Sequence, residues 1–387
     1  MNYKRIILII LDSLGVGEAD DAYKFNDSGA STLATLYNKT NIKFNNLEKI
    51  GLINLITDET RKSEAYYTFA KPISNGKDTL TGHLEMMGIH TIEAFKTFTK
   101  TGFPKELVDA LEKESGYKFI GNCNASGTEI IKELGEQHMD TGELILYTSA
   151  DSVLQIAAHE DIIPLTELYR VCEIARKITL KEEWKVGRII ARPFIGIPGN
   201  FMRTTNRHDY ALNPVSNTVL DNLKNNNLDV ITIGKISDIF NNCGITESKK
   251  TKDNLDGINK IIDTLNKDFK GLCFANLNDF DSKYGHRRDI LGYANCLLEF
   301  DKNLPRIIAN LKDDDLLIIT ADHGNDPGYR DTDHTRENIP VLIYSKKLLS
   351  PKRIEALNTF ADIGATITEN FNVKKPDIGT SFLDKLK

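Results

Sequence analysis

The stretch Arg5–Asp12, RIILIILD, decides the fold class of this chain. Its aliphatic run is typical of a β-strand that is buried on both faces, and Asp12 ends that run with a carboxylate. Two later apolar runs also lead into acidic residues, Gly271–Leu277 and Leu316–Thr320. A strand buried on both faces belongs to a sheet that is covered by helices on both sides. The three runs therefore predict neighbouring strands of a mainly parallel sheet.

Segments of helical period lie between these and other strand-like runs. Asp229–Gly234 and Ile339–Tyr344 have strand patterns, and Leu255–Phe269 has a helical one. A further helix is predicted from Leu291 to Leu311, with Pro305 kinking it or ending its first half. This alternation predicts an α/β core in which a mainly parallel sheet is flanked by helices.

The middle of the chain has a different pattern. It combines strand-like runs at Glu143–Thr148 and Arg188–Ile195 with a helix near Leu165–Ile178 and many loop residues. We expect an inserted, smaller α+β domain at residues 98–213. The core is then discontinuous and consists of residues 1–97 and 214–387.

Composition excludes several classes of function. The 387 residues include 49 basic and 55 acidic ones, giving a net charge of −6 with no basic stripe, so nucleic acid is not an expected partner. No apolar run approaches the roughly 20 residues of a membrane span, so no membrane association is expected. The 5 cysteines lack metal-type spacing and fit a reducing cytoplasm. Nothing demands an oligomer, and we expect a monomer or weak oligomer.

Acidic and imidazole side chains follow the three predicted strand ends. Because the carboxyl ends of parallel strands share one edge of a sheet, these residues can converge on a metal site. A single Asp after a strand is more often a turn former or helix N-cap, but turns do not require a nearby His. Mixed carboxylate and imidazole ligands favour Mn²⁺, Zn²⁺ or Fe²⁺. The six candidate ligands are Asp12, Asp281, His286, Asp322, His323 and His334.

The segment Gly76–Gly88, GKDTLTGHLEMMG, contains a candidate nucleophile. Thr79 stands in a polar stretch ahead of a helical segment, where free backbone amides favour a phosphate group. A hydroxyl needs a base or a metal to become nucleophilic at neutral pH, so this interpretation depends on the metal site. The alternative is structural, with Thr79 as a helix N-cap and His83 as an exposed helix residue.

Four motifs together resemble one family. They are LDSLGVG (Leu11–Gly17), KDTLTGHLEMMG (Lys77–Gly88), NLNDFDSKYGHRRD (Asn276–Asp289) and TADHGNDPGYRDTDHTRENIPVLIY (Thr320–Tyr344). In order and spacing they resemble the bacterial phosphopentomutases, which belong to the alkaline phosphatase superfamily. The resemblance extends over nearly the whole chain and implies an alkaline-phosphatase-like core with an inserted cap domain.

The resemblance implies two Mn²⁺ ions, although other divalent metals are not excluded. Asp12, Asp322 and His323 would hold one ion, with Thr79 facing it. Asp281, His286 and His334 would hold the second. Thr79 would carry the phosphoryl group, because in related phosphoglycerate mutases the nucleophilic Ser stands four residues before a His that corresponds to His83. Thr81 is the alternative nucleophile.

The resemblance also assigns residues of the inserted domain to the sugar site. Asp151 would accept a hydrogen bond from a sugar hydroxyl, and the arginines would bind a phosphate. Loop Arg and Asp side chains are, however, often only solvated. The expected substrate-binding residues are Ser149, Asp151, Arg188, Ile190 and Arg203. Weaker candidates are Arg192, Arg207, His159 and Lys235.

The implied reaction interconverts α-D-ribose 1-phosphate, or its 2-deoxy form, with the 5-phosphate in nucleoside salvage. The partner is then a small-molecule pentose phosphate, and ribose or glucose bisphosphate is a candidate activator. The nearest alternative is a metal-dependent phosphatase or phosphoglycerate mutase of the same superfamily. A catalytically silent phosphosugar- or metal-binding protein is the alternative from another class.

Overall fold

The computed structural model describes residues 2–58, 61–149 and 152–386. The chain divides into two compact units. The first consists of Met1–Ala94 and Asn213–Lys387, and the second is the continuous segment Phe95–Leu212. The second unit is therefore an insertion in the first.

Strands and helices are numbered along the chain. The strands are β1 (Arg5–Leu11), β2 (Tyr66–Ala70), β3 (Phe119–Asn124), β4 (Leu144–Thr148), β5 (Val153–His159), β6 (Arg188–Ile197), β7 (Asn200–Arg203), β8 (His208–Ala211), β9 (Asp229–Ile233), β10 (Glu247–Lys249), β11 (Gly271–Leu277), β12 (Asp315–Thr320) and β13 (Ile339–Tyr344). The helices are α1 (Thr32–Lys39), α2 (Asn45–Lys49), α3 (Thr79–Met86), α4 (Lys105–Ser115), α5 (Gly127–Thr141), α6 (Leu165–Ile178), α7 (Val219–Lys224), α8 (Ile236–Ile239), α9 (Asn254–Leu265), α10 (Ile290–Asn310) and α11 (Ala361–Phe371).

The first unit is built on a seven-stranded sheet in the order β10-β9-β11-β1-β12-β13-β2. The first five strands pair in parallel, whereas β13 pairs antiparallel with both β12 and β2. Two antiparallel steps restore the original direction, so β2 runs the same way as β12. The carboxyl ends of β11, β1, β12 and β2 therefore lie at the same edge of the sheet.

Helices cover both faces of this sheet. Every residue of β1 and β11 is buried, as expected for strands with a helix layer on each side. Helices α1, α2 and α9 contact α10, while α3 and α7 contact α11 in a separate group. The predicted fold class, an α/β core with a mainly parallel sheet flanked by helices, is confirmed.

Helix α10 continues through Pro305. Of the two alternatives predicted for this proline, a kink or an end of the helix's first half, the second is therefore wrong. A proline inside a helix removes one backbone hydrogen bond, at a cost of roughly 3 kcal/mol. Tertiary burial offsets this cost, because Phe300, Leu304 and Ile307 on either side of the proline are buried in the core.

The second unit contains a mixed six-stranded sheet. Strands β3 to β7 follow one another in space, and β8 pairs with β6. One face packs against α4 and α6 through residues such as Leu107, Leu168 and Ile189. The other face packs against α5 through Ile130, Tyr147 and neighbouring residues.

A buried ion pair joins the amino ends of β1 and β12. Arg5 and Asp315 are partners in the strand register, and both side chains are fully buried. Nε and Nη2 of Arg5 donate to the two carboxylate oxygens of Asp315 at 2.7 and 2.5 Å. Nη1 of Arg5 donates to the carbonyls of Leu265 and Lys267.

Within the described residues, no helix has the length and apolarity that crossing a membrane requires.

Candidate metal centre and nucleophile

Three adjacent strands bring the acidic residues together. Asp12 directly follows β1, and Asp322 comes two residues after the end of β12. Asp281 lies in a π-helical turn, Phe280–Tyr284, shortly after β11. Because β1 pairs in parallel with β11 on one side and β12 on the other, these carboxylates meet at one edge of the sheet.

The first cluster consists of Asp12, Asp322 and His323. Each offers one ligand atom, and these atoms lie within 4.8 Å of one another. Nε2 of His323 is 3.6 Å from Oδ1 of Asp12 and 3.3 Å from Oδ2 of Asp322. All three residues are buried.

The second cluster consists of Asp281, His286 and His334, again within 4.8 Å. Nε2 of His286 is 3.3 Å from Oδ2 of Asp281, and Nε2 of His334 is 3.3 Å from Oδ1 of the same carboxylate. The loop carbonyl of Thr332 lies 2.7 Å from Nδ1 of His286, which fixes the orientation of that ring. The two clusters are adjacent, since the His323 and His334 ring centroids are 4.1 Å apart.

The residues of the first cluster perturb one another's ionisation. Burial and the neighbouring Asp322 charge raise the pKa of Asp12 to about 6. Burial alone would also raise the pKa of Asp322, but the charges of His323 and His83 lower it to about 2. Burial opposes ionisation of His323, yet the charges of Asp322 and Asp12 raise its pKa to about 9. Two buried carboxylates beside one imidazole form a surrounding in which a bound cation would be stabilised.

The donor atoms fit a metal ion. Oδ1 of Asp12 and Oδ2 of Asp322 are buried and have no hydrogen-bond partner among the described residues. An unsatisfied buried carboxylate oxygen costs free energy unless a cation or donor meets it. Both atoms face Nε2 of His323, a nitrogen that can bind a metal ion when the ring gives up its proton. Two carboxylate oxygens and one imidazole nitrogen are donors that suit a divalent transition metal.

Backbone strain at Ser13 supports the position of Asp322. Ser13 has a left-handed φ of 73°, which is uncommon for a residue with a side chain. This conformation directs its backbone N–H at Oδ1 of Asp322, 3.0 Å away. The Ser13 hydroxyl is also within 3.1 Å of the buried hydroxyl of Tyr293. The strain is thus stored beside the candidate metal ligands, as is common at functional sites.

Thr79 is the first residue of α3 and faces the first cluster. Its Oγ1 is 3.1 Å from Nε2 of His323. The helix N-cap is Asp78, whose carboxylate accepts from the backbone N–H and the hydroxyl of Thr81. The N-cap alternative for Thr79 is therefore wrong, and the Thr81 hydroxyl already has a partner.

A glycine allows α3 to approach the sheet edge closely. A methyl group at Gly82 would lie 2.0 Å from the backbone oxygen of Asp322, so no larger residue fits without a shift. One turn of helix separates Gly82 from Thr79, and the close approach holds Thr79 at the metal ligands.

Arg336 holds the loop that leads to Thr79. Its buried guanidinium donates to the carbonyls of Ser74 and Gly76 at 2.8 and 2.5 Å. The same group pairs with the carboxylate of Asp21. Glu85 on α3 accepts from the backbone N–H of Ser74, which anchors the loop a second time. Two buried charged side chains therefore fix the backbone just before the candidate nucleophile.

Four residues around the clusters were missed, or set aside, by the sequence prediction. Nδ2 of Asn276 donates to Asp12 and Nδ2 of Asn325 donates to Asp281, at 3.1 and 2.7 Å. Lys235 places Nζ 3.6 Å from Asp12. A polar Asn inside a strand buried on both faces was the available signal for Asn276.

His83 is fully buried rather than exposed. Its Nδ1 is 2.8 Å from the Thr79 carbonyl and 3.3 Å from Asp322.

The predicted sugar-site residues lie in the second unit. Arg188 and Ile190 are on β6, Arg203 ends β7, and Ser149 follows β4. Asp151 lies outside the described residues. Ile190 is buried, whereas Arg203 is exposed. His159, a weaker candidate, is buried with Nε2 3.0 Å from the Gly196 carbonyl, which indicates a structural role.

Comparison with known proteins agrees with this site. Residues 4–375 match the family model described as the metalloenzyme superfamily. The PH0037 protein from Pyrococcus horikoshii is a similar structure, with 14% identity, 96% of this chain and 98% of that chain covered, and a TM-score of 0.51. At such low identity this likeness shows the fold alone.

Two further solved structures also match. A phosphoglycerate mutase from Leishmania mexicana, determined at low cobalt concentration, has 11% identity, 98% coverage of both chains and a TM-score of 0.49. An alkaline phosphatase superfamily protein from Vibrio parahaemolyticus has 13% identity, covers 99% of this chain and 70% of its own, and has a TM-score of 0.47. The family match spans nearly all of the chain, and both ligand clusters lie within it. The chain belongs to the metalloenzyme superfamily, and its two clusters indicate divalent metal binding.

Proposed function

We propose that this enzyme is a phosphopentomutase, which interconverts ribose 1-phosphate or 2-deoxyribose 1-phosphate with the 5-phosphate. The reaction would proceed through a phosphorylated Thr79 and a 1,5-bisphosphate intermediate. Four motifs that resemble those of bacterial phosphopentomutases support this substrate, and membership of the metalloenzyme superfamily supports metal-dependent chemistry.

One observation carries the proposal: Oγ1 of Thr79 lies 3.1 Å from Nε2 of His323, within the first ligand cluster. A threonine hydroxyl at the start of a helix and beside a metal ligand is placed to accept a phosphoryl group. A purely structural Thr at a helix start has no need for this neighbour. Because Thr81 donates its hydroxyl proton to Asp78, Thr79 is the better nucleophile.

Asp12, Asp322 and His323 would hold one divalent ion, and Asp281, His286 and His334 the other. Such ions, when bound, neutralise phosphoryl oxygens and lower the pKa of a nearby hydroxyl. Mn²⁺ suits the mixed donors of each cluster. The chain itself supplies position, because Arg336, Glu85 and Gly82 fix the loop and helix that carry Thr79.

In the forward direction, the phosphoryl group would pass from Thr79 to the free hydroxyl of the bound sugar phosphate. The bond between phosphorus and Oγ1 breaks, a bond to the sugar oxygen forms, and the sugar hydroxyl proton ends on Oγ1. The sugar then reorients and returns its other phosphoryl group to Thr79. Since this transition state is largely dissociative, positioning and charge stabilisation supply most of the catalysis.

The inserted unit would bind the sugar and keep water from the phosphothreonine. A phosphothreonine beside two metals would otherwise hydrolyse, and excluding water is what separates a mutase from a phosphatase. We propose Ser149, Asp151, Arg188, Ile190 and Arg203 as its substrate-binding residues.

The test is to find the phosphoryl group. The purified protein is incubated with Mn²⁺ and a ribose or glucose bisphosphate, and its peptides are analysed by mass spectrometry. Phosphate on Thr79 is the expected result, and it should be absent from a Thr79→Ala variant. Phosphate on Thr81 alone would overturn the assignment, and no phosphopeptide despite metal loading would overturn the phosphoenzyme mechanism.

A further inference from the structure

Glu337 is a buried carboxylate that the proposed mechanism does not use. It comes two residues before the start of β13 and is 1% exposed. Oε1 accepts from the hydroxyls of Thr32 and Thr335 at 2.7 and 2.6 Å. Oε2 accepts from the backbone N–H groups of Thr32 and Gly17 at 2.9 and 3.2 Å. Because both oxygens accept hydrogen bonds, the arrangement fits the ionised carboxylate.

Keeping this carboxylate ionised costs free energy. Burial raises the pKa of Glu337 to about 7, although the hydrogen bonds from Thr335 and Thr32 act in the opposite direction. All four donors are neutral groups, so they offset the burial of the charge only in part. A side chain that only filled space would avoid this cost. The loops around Glu337 show what its carboxylate holds in place.

Two glycines leave the space that Glu337 occupies. A methyl group at Gly15 would lie 2.2 Å from Oε2 of Glu337, and one at Gly324 would lie 2.4 Å from Oε1. Neither glycine has a positive φ, so the close approach of Glu337 explains the missing side chains. Gly15 comes three residues after Asp12, and Gly324 directly follows His323. Glu337 therefore packs against both loops that carry the first cluster.

The same carboxylate holds the loop of the second cluster. Thr335, which donates to Glu337, directly follows His334. Gly324 and Thr335 exchange two backbone hydrogen bonds, of 3.3 and 2.9 Å. The residues that follow His323 and His334 are thus joined to each other and to Glu337.

A second connection leads from Glu337 to Asp281. The Thr32 hydroxyl donates to Glu337 and accepts from the backbone N–H of Asn325 at 3.1 Å. Nδ2 of Asn325 in turn donates to Asp281. Because a hydroxyl has a single proton, the bond to Glu337 leaves the Thr32 oxygen free to accept from Asn325. One carboxylate is therefore connected to ligands of both clusters.

We infer that Glu337 is a positioning residue that holds the two ligand clusters in their relative position and thereby supports the binding of two divalent ions. It acts through Gly324, Thr335 and Thr32, which contact it directly. The inference rests on the two-metal part of the proposed function and is independent of the sugar substrate.

Mn²⁺ binding to the full chain tests this role. Glu337→Gln keeps the size of the side chain but replaces one accepting oxygen by an NH₂ group, which cannot accept from the donors there. Equilibrium dialysis with metal analysis should show the weaker of two bound Mn²⁺ ions binding about tenfold or more weakly, as when other partners that orient metal ligands are lost.

Electron paramagnetic resonance gives a second readout, because two Mn²⁺ ions in adjacent sites couple magnetically. The coupled signal should be weaker in Glu337→Gln than in the unsubstituted protein, at an Mn²⁺ concentration that saturates the unsubstituted protein.

Asp301→Asn is the matched control. Asp301 is also a buried carboxylate with a pKa raised by burial, and it accepts from the backbone N–H groups of Asn46 and Leu47. Both substitutions should lower the thermal unfolding midpoint, because each leaves buried donors without an acceptor. Only Glu337→Gln should weaken Mn²⁺ binding.

Thr32 offers a test that leaves every charge in place. Thr32→Val removes the hydroxyl between Glu337 and Asn325, whereas Thr32→Ser retains it. The valine variant should bind the second Mn²⁺ more weakly, and the serine variant should bind it as the unsubstituted protein does. Equal binding by the two variants would contradict the inference.

The inference is overturned if Glu337→Gln matches the unsubstituted protein in Mn²⁺ affinity and coupled signal, or if Asp301→Asn loses as much affinity. In either case two Mn²⁺ ions bound to the unsubstituted protein still support the two-metal mechanism. If the unsubstituted protein binds no second ion, that mechanism and the inference fail together. The two failures are thus distinguishable.

Discussion

Oγ1 of Thr79 and Nε2 of His323 lie 3.1 Å apart, although 244 residues separate them in the chain. The contact joins the start of α3 to the loop after β12. It exists because β2, which precedes Thr79, and β12 run in the same direction in one sheet. The topology of the sheet thereby places the Thr79 hydroxyl, the proposed nucleophile, beside a candidate metal ligand.

Removing this hydroxyl should abolish phosphoryl transfer. We expect Thr79→Ala to lower mutase activity by at least about a thousandfold, as loss of a covalent nucleophile does elsewhere. Thr79→Ser keeps a hydroxyl and should retain part of the activity. The measurement is the steady-state rate of ribose 5-phosphate formation with saturating Mn²⁺.

Thr81→Ala is the control for this prediction. Thr81 bonds to the N-cap Asp78, and losing that hydrogen bond should cost about 1 kcal/mol of stability with most activity kept. Full activity in Thr79→Ala combined with an inactive Thr81→Ala would assign the nucleophile to Thr81.

Asn325 should strengthen metal binding at the second cluster. Its Nδ2 donates to Oδ1 of Asp281 at 2.7 Å, and Arg288 in turn donates to its Oδ1 at 2.6 Å. Loss of such an outer partner typically lowers metal affinity about 10- to 100-fold, so Asn325→Ala should bind the second Mn²⁺ that much more weakly. Equilibrium dialysis with metal analysis provides the measurement.

Asn303→Ala is the matched control, because Asn303 is a partly exposed asparagine on α10 whose side chain bonds within its own helix. Equal Mn²⁺ affinity in Asn325→Ala and Asn303→Ala would remove Asn325 from the metal site.

The six candidate ligands could be predicted because each lies shortly after a strand or in a short motif. Asp12, Asp281 and Asp322 follow apolar runs, and the sequence shows where such runs end. The structure places these six residues in two clusters, the same sets that the resemblance implies. Asn325 could not be predicted, because its role depends on a hydrogen bond across 44 residues.

The second unit was harder to predict for a similar reason. Arg188 and Arg192 are both arginines on β6, and the sequence pattern does not distinguish them. They differ because Asp209 on β8 lies near Arg188, and this pairing follows from strand register. Pro305 shows the converse, since local propensity predicted a kink or a break there and tertiary packing keeps the helix continuous.

The Arg5–Asp315 ion pair should be important for the stability of the first unit. Arg5→Met leaves the Asp315 carboxylate buried without its partner, which should lower the free energy of unfolding by about 3–5 kcal/mol. Urea denaturation measures this change. Adding Asp315→Leu to Arg5→Met should recover much of the loss, because the uncompensated charge is then removed. If Arg5→Met alone is as stable as the unsubstituted protein, the ion pair does not contribute to the stability of the first unit.

His138 should make the second unit sensitive to acid. Burial lowers its pKa below the ordinary 6.5, while the Glu143 carbonyl raises it and the charge of His159 lowers it. Nδ1 donates to that carbonyl and Nε2 accepts from the His159 backbone N–H, so the ring must be neutral. The unfolded chain binds the proton first. Stability therefore falls as the pH drops below 6.5, until the lower folded-state pKa is passed.

His138→Gln removes this titration. The variant should be less stable than the unsubstituted protein at about pH 8, but its stability should change less between about pH 8 and about pH 5. Thermal unfolding at the two pH values measures the difference. The same pH dependence in both proteins would show that His138 does not titrate between them.

We propose that this enzyme moves a phosphoryl group from one position to another of a pentose phosphate. The most direct measurement follows ribose 5-phosphate formed from ribose 1-phosphate with Mn²⁺, while free phosphate and 3-phosphoglycerate turnover are followed in parallel. We predict Mn²⁺-dependent isomerisation without phosphate release and without 3-phosphoglycerate turnover. Release of phosphate with no isomerisation, or conversion of 3-phosphoglycerate alone, would contradict the account.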